Sequence, residues 1–382
     1  MEERQLLQDI DIIKNEEDFL KLKTAWEKLF SQDNKRVFLS HEWFRHVIKC
    51  QPNINLFLLI AKENDLAKAI APLCITKEIF KITFLRLPVH AIKFILNPFS
   101  TFCDFISAKS DKESIHKFIQ EVFKCKKWDI ALFSRIPQDS ATLPTLKEVL
   151  FSQHRRFIIR TSSYCPFVKS SDNWDAYLSS QSHNYKEMVR KLKKKIERLD
   201  KSHVEFYQRL DDVRKFYADL IYICNNSKKR KDKEFFSRNI ERQRFLFDLV
   251  NTANDNGWLR AWIVRSGERP IAAEINLFCG NVLHCVFKAH DENYDAYSVG
   301  SYLTYCILKY CIDSGYEYDF GPGDLGYKLI WTKDIKKTYE FVIFNKRFFS
   351  MVLYYLYIFK ETIKKRIVKE NIPVSIYGQK PK

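Results

Sequence analysis

Three groups of residues in the C-terminal half of this chain could do chemistry. Tyr297-Ser298-Val299-Gly300-Ser301 stands just ahead of Leu303, Cys306, Ile307, Tyr310 and Cys311, whose spacing puts one apolar face on a helix. A helix N-terminus fed by a strand gathers unpaired N–H groups and the positive end of the helix dipole, a setting that suits a diphosphate and therefore a nucleotide-tailed cofactor. Two readings of Ser298 stand: an anion contact, or a helix cap worth about 1 kcal/mol. Gly300 serves either close ligand approach or close packing.

The second group, Asp319-Phe320-x-x-Gly323-Asp324-x-x-Tyr327-Lys328-x-x-Trp331, ends a strand and closes a turn. Such positions present side chains at the ligand edge of an α/β sheet, while Asx-type bonds around Gly321-Pro322-Gly323 would use Asp319 and Asp324 equally well. Tyr327 and Trp331, four apart, are expected to stack on one helical face. Lys328 has Asp324 or an anionic substrate as its candidate partners.

The third group is carried by two strands joined at Gly280-Asn281, a dipeptide suited to a two-residue hairpin turn. Glu274 is a candidate base and Lys288 a candidate phosphate or substrate contact; the plain alternatives are a surface carboxylate and a solvent-facing lysine. His284 is read as a core histidine more readily than as a catalyst. With strict alternation Ala273 faces Lys288, and His284 and Lys288 share a face, so Glu274 and Lys288 can line one pocket only through a bulge or a longer turn.

The elements that must position these groups are legible as an α/β pattern. Helical stretches at 17–30 and 42–50 alternate with strand-like runs at 56–61, 66–76, 82–87 and 128–134. The segment 155–169, with its Thr-Ser-Ser and Pro, reads as the crossing into a second domain. Beyond it come a helix over 174–199, a strand at 204–208, helices at 211–225 and 234–254, strands at 258–265, 271–279 and 281–289, and a helix over 300–314 stopped by Gly315. The expected domains are 1–165, 166–345 and a C-terminal basic amphipathic helix and tail over 346–382.

The order of strands, anion loop, helix and strand, together with these motifs, resembles the GNAT-fold acetyltransferases of the CelD-type or BioF-like family, relatives of the FemAB peptidyltransferases. Tyr297-Ser298-Val299-Gly300 resembles that family's YSPG box, with Val299 in place of its Pro, and the Asp319 to Trp331 string resembles its closing motif. Phe38-Leu39-Ser40-x-x-Trp43-Phe44, Ala71-Pro72-Leu73, Trp128-Asp129, Trp174-x-x-Tyr177 and Arg190-Lys191-Leu192-x-x-Lys195 fall in the same order.

The resemblance implies two tandem GNAT-like domains and transfer of an acyl group from acetyl-CoA or another acyl-CoA. The acceptor would be an amine or hydroxyl of a polysaccharide or cell-envelope precursor. It implies cofactor contacts at Tyr297, Ser298, Gly300 and Ser301, and catalytic duty among Asp324, Lys288, Glu274 and Asp319. Substrate contacts would fall to Tyr327, Lys328, Trp331, Arg190 and Lys194. A FemAB-like transferase using aminoacyl-tRNA, or a non-catalytic membrane-surface or binding protein on the same scaffold, are the rival readings.

Bulk properties narrow these options. The chain has 382 residues, 46% of them hydrophobic, enough for two cores. Its net charge of +17 points to anionic partners. Within 186–198 seven basic residues meet two acidic ones, either a solvated helix face or the rim of an entrance for an acidic substrate. Stacking aromatics are not interleaved there, so nucleic acid is not an expected partner.

Ten cysteines without a C-x-x-C pair, and no clustered histidines, argue against a zinc site and a disulfide framework and for a reducing cytoplasm. No metal is expected. The acidic, interrupted first residues do not read as a signal peptide. The aromatic stretch of 348–359, followed by Lys360, Lys364, Lys365, Arg366 and Lys369, is read as a helix docked on its domain or as an interfacial helix at the inner face of a membrane.

Overall fold

The computed structural model describes residues 10–32, 36–51, 54–82, 84–107, 111–231, 239–323, 325–367 and 375–377. It divides into two compact units, Met1–Tyr164 with Lys336–Lys382, and Cys165–Ile335.

In the first unit, strand Ile335–Phe344 pairs antiparallel with Ile130–Pro137, which runs parallel to Leu85–Phe94; the hairpin partner Leu73–Ile82 follows. A smaller sheet holds Ile10–Ile13, Leu58–Glu63 and Leu66–Ala71. The single strand expected at 66–76 is thus two, broken at Pro72, whose missing N–H cannot continue a ladder. Helices Lys112–Lys124 and Thr142–Ser152, unread in the sequence, bury Phe118 and Leu146. The strand Ile335–Phe344, expected in the second domain, belongs almost wholly to this unit, as does helix Phe348–Ile367.

The segment expected to be a crossing is strand β1 (Arg156–Val168), whose ends Phe157-Ile158-Ile159 and Cys165-Pro166-Phe167-Val168 are buried around an exposed middle. Its last four residues enter the second unit. There follow helices α1 (Trp174–Ser180) and α2 (His183–Ile196), strand β2 (Ser202–Tyr207), and helices α3 (Val213–Asn225) and α4 (Ile240–Asp255). Strands β3 (Leu259–Ser266), β4 (Arg269–Cys279) and β5 (Val282–His290), helix α5 (Val299–Asp313) and strand β6 (Glu317–Asp319) complete it.

The helix expected over 174–199 breaks because Ser182 accepts a 3.3 Å bond from Tyr185 N–H and starts α2 afresh. Strand order is β2-β3-β4-β5-β6-β1, with β5 and β6 parallel and the other neighbours antiparallel. Val299, Leu303, Ile307 and Cys311 of α5 pack with Leu192 and Ile196 of α2 and Ile271 and Leu283 of the sheet in one apolar core.

Candidate active site

The β4–β5 hairpin closes through Gly280 and Asn281, both at positive φ (60° and 63°), so Cys279 faces Val282 as the dipeptide predicts. Alternation then fails once: Asn276 pairs with Cys285 but Ile275 pairs with Phe287, leaving Val286 as an extra residue in β5. This bulge turns Lys288 to face Glu274 and moves His284 to the opposite face, correcting the expectation that Ala273 faces Lys288 and that His284 shares its side.

Lys288 Nζ lies 3.1 Å from Glu274 Oε2 and donates to Thr304 Oγ1 of α5. Glu274 is fully buried. Its Oε1 accepts from Tyr318 Oη at 2.5 Å and from Asn276 Nδ2 at 3.1 Å. Burial, then Cys285 and Glu274, push the Tyr318 hydroxyl well above its ordinary range, so it stays a donor.

Above this network opens a cavity of about 430 Å³ lined by Lys288, Ala289, His290, Asp295, Ser298 to Ser301, Thr304, Tyr327, Ser227 and Lys228. The N-terminus of α5 forms one wall. Ser298 is in the left-handed region (φ 55°, ψ 39°) and makes no side-chain cap; its Oγ accepts instead from Lys195 Nζ at 2.9 Å. The first-turn N–H groups of α5 therefore keep the orphan character of any uncapped helix start.

Gly300 explains itself by space, since a Cβ there would lie 3.1 Å from His290 Nδ1. His290 Nε2 is 3.0 Å from Asp295 Oδ1, and Asp295 also pairs with Lys228. That ion pair first, and the His290 bond after it, lower the Asp295 carboxyl below its usual range.

The other expected residues are placed as follows. Tyr297 is half-buried against the core and packs on Tyr294. Tyr327 lines the cavity with Lys288 5.8 Å from its ring centre. Trp331 instead stacks edge-on with Tyr185 at 5.9 Å, because Lys328–Ile330 is a single 3₁₀ turn and does not put positions four apart on one face. The expected Tyr327–Trp331 stack is therefore absent.

Lys328 is buried and donates to the carbonyls of Phe320, Gly321 and Pro322 at 3.0, 2.8 and 2.8 Å, spending its ammonium on the turn. Asp319 is likewise a turn residue: Oδ1 accepts from Gly321 N–H at 2.8 Å and Oδ2 lies 3.3 Å from His284 Nδ1, on the face away from Tyr318. Asp324 lies outside the described residues. Arg190 is exposed in a bidentate pair with Glu187, and Lys194 points outward too.

Lys195 enters the sequence reading only as the last residue of the Arg190-Lys191-Leu192-x-x-Lys195 motif, and His290, Thr304, Asn276 and Tyr318 lie beyond the residues expected at the site. The inward positions of α2 are Tyr185, Val189, Leu192 and Ile196. At 100° per residue Arg190 and Lys194 lie opposite them, while Lys195 borders them, so the apolar period held the signal for Lys195.

Cysteine nucleophiles have no support in the site: burial pushes Cys285 up to about 12 and Cys306 up to about 11.

Residues 183–329 match the family described as an acetyltransferase (GNAT) domain. No curated protein matches the chain significantly. Among solved structures it resembles FemX, with 13% identity, 90% of this chain and 100% of that chain covered and a TM-score of 0.59. A conserved protein of unknown function from Bacteroides thetaiotaomicron is similar, at 12% identity, 88% and 100% coverage and TM-score 0.55. So is L-PGS from Bacillus licheniformis, at 10% identity, 90% and 97% coverage and TM-score 0.50. Identities this low concern the fold alone. The family match falls wholly within the second compact unit, Cys165–Ile335, so fold and site together define that unit as a GNAT domain of acyltransferase type.

Proposed function

We propose that this chain is an acyltransferase of the CelD-type class that takes its acyl group from acetyl-CoA or a related acyl-CoA and passes it to an amine or hydroxyl of a saccharide or envelope precursor. The observation that carries this reading is the uncapped start of α5, kept bare by Gly300 and flanked by Lys195 and Lys228. Those residues fit a diphosphate. Bound acyl-CoA would supply an activated thioester.

The protein's own contribution is electrostatic and positional. Lys288, held by Glu274 and Thr304 at the cavity wall, is the ammonium to which we assign stabilisation of the tetrahedral oxyanion. Glu274 is too enclosed to take a proton from an acceptor, so its duty is to hold Lys288. His290 is the imidazole of the cavity wall, and Asp295 orients it; we assign it the acceptor's proton.

Titration calorimetry tests the reading. Acetyl-CoA is expected to bind, and Gly300→Val to weaken it at least about tenfold, because the added side chain displaces His290 and covers the first turn. Unchanged binding in that variant sinks the cofactor placement. Binding of aminoacyl-tRNA with none of acyl-CoA would select the FemAB-like alternative.

A further inference from the structure

Helix Phe348–Ile367 carries two apolar faces where a docked helix needs one. The inner face, Ser350, Leu353, Tyr354, Tyr357 and Glu361, is buried, with Leu353, Tyr354 and Tyr357 packed against Val89, Ile130 and Val342 of the first unit. The outer face sets Phe348, Val352, Tyr355 and Phe359 at spacings of four, three and four, one stripe, and Phe348 and Phe359 are 80% and 65% exposed. Water is a poor neighbour for such a stripe.

Charge identifies what covers it. Between positions 346 and 369 the sequence holds seven Lys and Arg against one acid, Glu361, and that acid is on the inner face. Lys346 and Arg347 are exposed at the start of the helix. No described helix is long and apolar enough to cross a bilayer. An aromatic stripe with basic ends suits the boundary between headgroups and acyl chains.

We infer that the outer face of this helix docks the protein on an anionic lipid surface. The helix lies flat, its aromatic stripe entering the acyl boundary while its cations meet acidic headgroups. This is independent of the acyl-transfer reading, since no cavity residue takes part.

The test is co-sedimentation of the full chain with vesicles of phosphatidylcholine alone and of phosphatidylcholine mixed with phosphatidylglycerol. Binding is expected to the mixed vesicles, falling as salt rises from about 0.1 to about 0.5 M. Both F348A/F359A and K346Q/R347Q are expected to lower it at least about fivefold while thermal midpoint and acetyl-CoA binding stay unchanged. Undiminished binding by the aromatic pair variant, or equal binding to both vesicle types, overturns the inference. So does a concentration-dependent dimer, lost in F348A/F359A, in a protein that ignores vesicles.

Discussion

Lys288 and Glu274 form a charged pair with almost no access to water, and pairs of that kind respond unequally to mutation. Removing one partner strands the other, at a cost of about 3–5 kcal/mol, whereas replacing both is close to neutral. Lys288→Met leaves Glu274 with two donors, Tyr318 and Asn276, but no countercharge. It should lose about 3 kcal/mol in urea unfolding at pH 7. Adding Glu274→Gln should restore most of that, since the amide oxygen still accepts from Tyr318. Additive losses in the double variant would mean the two groups do not share the pair seen here. Residue type pointed to both members, but their pairing could not be read, because it depends on where a strand loses its alternation.

That loss of alternation belongs to the scale of elements. Val286 is the inserted residue in β5, and nothing about a valine in a strand marks it as extra. Deleting it should give an unbroken ladder in which Phe287 still faces Ile275 and Lys288 still faces Glu274, so the cavity keeps its cation. Acetyl-CoA binding should then be retained while far-ultraviolet circular dichroism keeps its α/β shape; a fall to background would show that the bulge shapes the site beyond its effect on which residue faces Glu274. Other features at this scale were plain in the sequence. The Gly280-Asn281 turn, the apolar face of α5 and the small residues at its start all follow from local rules of φ, period and capping. The helices over 112–124 and 142–152 and the break at Ser182 escaped. β1 reads as a domain crossing because Thr161-Ser162-Ser163 suits a turn, whereas these residues are the less buried middle of a strand with buried ends.

For the whole molecule, the sequence showed two α/β cores but not that the chain returns to its first unit after Ile335, since pairing of residues 199 or more apart is set by the sheet and not by local pattern. That first unit also carries a buried acid with a pH consequence. Asp104 accepts from Thr142 Oγ1 at 2.5 Å and Phe105 N–H at 2.9 Å, yet burial outweighs those bonds and raises its carboxyl to about 6 from the usual 3.8. A carboxyl raised on folding favours the folded state most below its unfolded value, and that contribution is lost as pH climbs through the folded one. A shift of this size corresponds to about 3 kcal/mol. Asp104 should therefore lower the stability of the first unit progressively between about pH 4 and pH 6, with no further change above. Urea unfolding followed across that range should show the decline in the parent protein and a flatter profile in Asp104→Asn, which carries no charge to desolvate. Parallel profiles for the two proteins would show that Asp104 ionises freely, and that water reaches a carboxyl which the packing around Phe105 and Thr142 closes off.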